Sequence, residues 1–144
     1  MKWITREHVK VDRVACPWLI RRFIDARARF RFTDGREPRK PGELTFDMVG
    51  GDFTHEGDRC TFETLAARVG IGDPAVREIA EIVHDIDLKD GKFGRPEAAG
   101  LQRLLTGLVL AHPDDTGRLK RGLGLFDELY RTFPSSARRP GGRG

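Results

Sequence analysis

Cysteine is scarce in this chain: two residues, Cys16 and Cys60, among 144. A chain expected to be cytosolic argues against a structural disulfide between them, and the lack of a CxxC pair argues against a zinc site built on thiolates. Each is a small buried hydrophobe or a single reactive thiol. Long apolar runs are missing as well. No stretch approaches the roughly 20 apolar residues that cross a bilayer, and the opening MKWITREHVKVDR lacks the apolar core of a signal peptide. A cytoplasmic protein with no membrane partner is the expectation. Charge of one sign is hardly in excess, with 26 Lys+Arg against 22 Asp+Glu and a formal net charge of +4. Three of those arginines fall in the closing SSARRPGGRG, which holds no acid. No helix-turn-helix, zinc-finger or aromatic RNA-binding pattern accompanies them, so nucleic acid is not expected as a partner. The tail, residues 135–144, is expected to be disordered and solvated.

What remains is a globular composition, 38% hydrophobic and 33% charged, long enough for one domain over residues 1–134 with its own core. Residues 2–5, ARFRFT and ELTFDMV read as strands. A helix is expected from Pro17 to Asp25, because proline suits the first helical turn. TFETLAARVG reads as a short helix closed by Gly70. The stretch DPAVREIAEIVHDIDL opens with Asp73 as cap and Pro74 behind it. Two more helices follow, RPEAAGLQRLLTGLVLAH and DDTGRLKRGLGLFDELYRTF. The fold class is therefore α+β, a small N-terminal sheet packed against four to five helices.

Helical phase, about 100° per residue, then sorts the polar residues. In the helix from Pro74, Asp87 falls inside the apolar stripe of Val76, Ile79, Ala80 and Val83, with His84 at its edge. Asp85 points toward solvent. A carboxylate on a core-facing stripe needs a partner, either an arginine, backbone amides or a metal. Glu97 occupies the first turn of the following helix, where an anion is favoured, and only KDGKFGR separates it from Asp87. In the helix from Pro17, Cys16 shares the core face with Leu19, Ile20 and Phe23. Trp18, Arg21 and Arg22 face outward, with Asp12 and Arg13 just upstream. Guanidinium forks of this kind match oxyanions. A third cluster, FTHEGDRCTFE, offers His55 as base or metal ligand. In it Cys60 is the better reactive thiol, lying off the core face beside Arg59 and near a helix start.

The stretches VDRVACPWLIRRFID, FTHEGDRCTFE and IVHDIDLKDGKFGRPEAAGL resemble the C-terminal domain of ChrB, the chromate resistance protein family. The likeness runs from about Trp3 to Phe133. It implies association with chromate resistance, as an accessory or sensing domain of standalone form in the bacterial cytoplasm. Family residues match at Asp12, Arg13, Cys16, Pro17, Trp18, Arg21, Arg22, Asp47, His55, Asp58, Arg59, Cys60, Asp87, Pro96 and Glu97.

Three functions follow as expectations. The first is binding or sensing of a small anion such as chromate through Arg13, Trp18, Arg21, Arg22 and Arg59. The second is a metal-dependent or thiol enzyme. In it His55, His84, Asp87 and Glu97 hold a divalent manganese, iron or zinc ion, while Cys60 and His55 act in catalysis. The third is a regulatory accessory domain acting through the basic tail. A homodimer is compatible with all three.

Overall fold

The computed structural model describes residues 1–7, 10–48, 51–54 and 56–135. His55 lies outside them, and so does the chain from residue 136 onward. Strand β1 (Lys2–Arg6) leads into helix α1 (Asp12–Phe23), followed by β2 (Arg29–Thr33) and β3 (Glu43–Thr45). Four helices follow among the described residues: α2 (Thr61–Val69), α3 (Pro74–Leu88), α4 (Glu97–Ala111) and α5 (Asp115–Arg131). This is the expected α+β arrangement, with a three-stranded sheet and five helices. The sheet is wholly parallel in the order β2-β1-β3, and Trp3 pairs with Phe30 on one side and Leu44 on the other.

Across that sheet, Arg31 of β2 reaches over β1 to Glu43 of β3 in a two-pronged ion pair of 2.9 and 2.7 Å. The guanidinium holds the Glu43 carboxyl pKa down at about 2, against the partial burial that opposes it. A carboxyl held below its unfolded value of about 4.3 stabilises the fold above that pH, and the gain is lost on descent toward the folded value. Melting curves of wild type and Glu43→Gln are therefore expected to differ most at neutral pH and to converge as pH falls from about 4 toward about 2. A gap that stays constant over that range would show that the pair adds nothing.

Helix α1 begins at Asp12, and Pro17 sits inside it rather than at its start. An interior proline forfeits one backbone hydrogen bond and costs about 3 kcal/mol. Burial offsets this, because every residue from Asp12 to Ile20 is buried. From Asp12 to Ile20 the helix is enclosed by other elements, so Trp18 does not face outward as phase suggests, while Arg22 in the last turn is exposed. Trp18 is 2% exposed. It packs against Phe126 and Tyr130 of α5 at ring separations of 6.2 and 5.5 Å.

Caps fix the other helices. Gly70 ends α2 in the left-handed region at φ 77°, where glycine alone carries no side-chain penalty. Asp73 accepts the Ala75 N–H at 2.9 Å to start α3. Its other oxygen takes the Tyr130 hydroxyl at 2.6 Å, which ties α5 to that start. Ser135 is buried.

Candidate functional site

Two polar networks run through the three sequence motifs. In the first, Asp12 lies fully buried against the start of α2. Its carboxylate accepts the backbone N–H groups of Thr61 and Phe62 at 3.2 and 3.3 Å. A helix start presents N–H groups with no partner in their own helix, at the positive end of the dipole, so a carboxylate from α1 satisfies both requirements. Arg13, the next residue, donates through Nε to Asp47 at 3.0 Å and through Nη1 to the Glu7 carbonyl at 2.8 Å. Asp47 in turn accepts the Thr61 hydroxyl at 3.1 Å. It holds a left-handed backbone at φ 51°, which aspartate tolerates better than most residues. The first network thus ties the starts of α1 and α2 to the end of the sheet.

Both thiols lie inside this arrangement and are 0% exposed. The expectation that Cys60 lies off the core face is corrected here. Burial first, and the Asp12 carboxylate second, push its thiol pKa far above the ordinary value. The same two causes raise that of Cys16. At the α2 start the Thr61 and Phe62 N–H groups go to Asp12 and the Cys60 N–H to Glu63 at 2.9 Å, while the Glu63 N–H turned to the Cys60 sulfur lowers its pKa too little to offset burial.

The arginines named for anion binding do not form one clamp. Arg13 is buried on Asp47. Arg21 donates to the Ala28 carbonyl at 3.0 Å and stacks over Phe30. Arg22 pairs with Asp127 at 3.1 Å and lies over Tyr130. The Trp18 indole N–H goes to the same Asp127 at 2.8 Å, so Trp18 is a packing residue with a satisfied donor. Arg13 and Arg21 are also about 12 Å apart along the α1 axis, at 1.5 Å of rise per residue. Arg22 and Arg59 are the exposed members of the set, the first on Asp127 and the second on the Glu56–Arg59 bridge.

The second network centres on His84, which is 0% exposed. Its Nδ1 lies 2.6 Å from Glu63 of α2, and its Nε2 lies 3.0 Å from Asp90 in the loop after α3. Burial opposes a charge on the imidazole, but the bonds to Glu63 and Asp90 prevail and hold its pKa above the usual histidine value. Asp90 is held low by the Lys92 backbone N–H and by His84. Asp85 accepts the backbone N–H groups of Phe93 and Arg95 at 3.2 and 2.8 Å, which folds the loop back over the helix end. Phe93 then packs edge-on against the His84 ring at 5.0 Å. One ligand atom each from His84, Asp85 and Asp90 lies within 4.8 Å of the others. Beside them Lys92 pairs with Asp58 at 2.6 Å.

The expected metal set is therefore rearranged. Glu97 pairs with Arg95 at 2.9 Å, and Arg95 also reaches Glu78 and Glu81. Asp87 instead lines a cavity between α1, α3, α4 and α5. His84 retains a place, with Asp85 and Asp90 as neighbours and Glu63 behind the ring. Phase assigned Asp85 to solvent because it ignored the loop that returns to cover it. The spacing H-D-x-D-x-x-D, residues 84 to 90, is the signal that could have shown the cluster.

Comparison with known proteins places these residues in a shared context. The family model described as "ChrB, C-terminal domain" matches residues 3–133. Protein ChrB of Cupriavidus metallidurans is 38% identical over 139 residues, covering 96% of this chain and 42% of that protein. The chain thus spans less than half the length of that relative. No solved structure matches it.

Proposed function

The chain belongs to the ChrB C-terminal domain family, which carries the association with chromate resistance, and on that premise we propose that it is a cytoplasmic metal-dependent anion-binding domain. A divalent first-row ion would be held by His84, Asp85 and Asp90, with open positions left for an oxyanion such as chromate. The observation that carries the reading is the buried imidazole, gripped at Nδ1 by Glu63 with its Nε2 turned toward two aspartates. A carboxylate behind a histidine fixes the ring and raises its basicity toward a metal on the other side. One nitrogen and two carboxylate donors suit manganese, iron or zinc. Asp90 bonds to the same nitrogen that would bind the ion, and the ion would take that proton's place. Lys92 and the exposed Arg59, close in the fold and in sequence to Asp58, supply positive charge for the anion.

The test is a thermal shift with manganese, iron(II) and zinc, paired with metal analysis of the purified protein. At a hundredfold excess over Kd, a bound ion contributes about 2.7 kcal/mol and raises Tm by roughly 8 °C. His84→Ala and Asp90→Asn are expected to abolish the shift, whatever their own melting points. Chromate and sulfate should then bind to the metal-loaded chain and not to the metal-free one. A shift that survives in Asp90→Asn, or the absence of any shift, sinks the assignment.

A further inference from the structure

Asp87 leads to a cavity that the chromate setting does not explain. It measures about 520 Å³ and forms where the start of α1, the end of α3 and the helices α4 and α5 meet. That volume lies in the range of small-molecule sites, roughly 300–1,000 Å³. Val11, Ile86, Leu105 and Val109 give it apolar walls. Three cations, Lys10, Lys89 and Arg118, line it against one acid, Asp87. Leu110 at the same cavity is 83% exposed, so the apolar lining continues out to the surface. Arg118 is braced, its Nε donating to the His112 carbonyl at 2.8 Å, which fixes the guanidinium at the site. Lys89 follows α3 in a left-handed conformation at φ 55°, an uncommon backbone for lysine that sets where its side chain leaves the helix end.

The lining has two characters, and each excludes a class of occupant. A bare tetrahedral oxyanion would use the cations and leave the walls of Val11, Ile86, Leu105 and Val109 against water. A neutral apolar molecule would leave Lys10 and Lys89 facing Asp87, with Arg118 already paired to Asp115 at 3.4 Å. From this combination we infer that the cavity binds a small organic anion, with an apolar body against Val11, Ile86, Leu105 and Val109 and a carboxylate or phosphate head among Lys10, Lys89 and Arg118. The cavity lining does not include His84, Asp85 or Asp90, and the inference stands whether or not those residues hold a metal.

Isothermal titration of the full chain with octanoate tests it, alongside acetate (the head alone) and octanol (the body alone). Octanoate is expected to bind saturably at one per chain, with acetate and octanol each at least roughly tenfold weaker. Lys10→Gln and Lys89→Gln should each weaken octanoate roughly tenfold. Thr106→Trp, which fills the cavity from an exposed wall residue, should abolish binding while leaving the circular dichroism of the chain unchanged. If Thr106→Trp alters the fold, the two lysine variants decide. Octanol binding as tightly as octanoate, octanoate binding unmoved by the lysine variants, or no saturable binding of octanoate or phenyl phosphate would each overturn the inference.

Discussion

Asp12→Ala is expected to melt roughly 10 °C below wild type. The carboxylate is fully buried and satisfies two backbone N–H groups at the start of α2, those of Thr61 and Phe62. Truncation strands both donors where water cannot reach them, at about 1–3 kcal/mol each. It also removes the charge that complements the helix dipole. A loss of about 3 kcal/mol corresponds to that Tm change in a domain of this size. Asp12→Asn separates the two contributions. Its amide oxygen still accepts one N–H, so the loss should be about half as large if hydrogen bonding dominates. Thermal denaturation followed by circular dichroism measures both variants. An Asp12→Ala protein that melts within about 2 °C of wild type would remove Asp12 from its place as the tie between α1 and α2.

Gly122→Ala carries the other large effect, and its sign is opposite to the usual one. In an exposed helix interior, alanine for glycine stabilises by about 1 kcal/mol. Gly122 is buried in α5 against Val14 of α1, and an added Cβ would fall within the van der Waals shell of the valine methyl. Val14 is itself 1% exposed and has no space to retreat into. Overpacking of this kind costs about 1–3 kcal/mol, enough to reverse the propensity gain and push the two helices apart. Gly124→Ala is the matched control, in the same helix with nothing within 4 Å of the new carbon, and it should gain stability. The double variant Val14→Ala/Gly122→Ala should recover part of the loss, with a coupling of about 1–2 kcal/mol. Equal melting points for the two single glycine variants would show that α1 and α5 are not in close contact there.

The element order was legible because its signals are local. Asp73-Pro74 opened α3 and Gly70 closed α2 by chemistry confined to a few residues. Strands were readable from runs such as RFRFT. The sequence failed where burial depends on what returns from far away. Phase gave α1 a solvent face because a helix read alone has two sides, and nothing near Trp18 in sequence shows that Phe126 and Tyr130 will cover it. The same limit turned Cys60 outward and Asp85 toward water. Asp12 was noticed only as a neighbour of Arg13, because its task lies on α2, some 50 positions away. His84 was found from its position on the helix, but Glu63 and Asp90 were not. One comes from another helix and the other from a loop, and neither obeys the helical period.

Helix α1 also sets how much change its stretch can absorb. A surface helix can vary along its free side while its packed side stays constant. From Asp12 to Ile20 this helix has no free side, and it accommodates an interior proline besides. Each substitution there must answer to the sheet, to α2 or to α5 at once. The stretch DRVACPWLI is thus a place of confinement, where drift has little room.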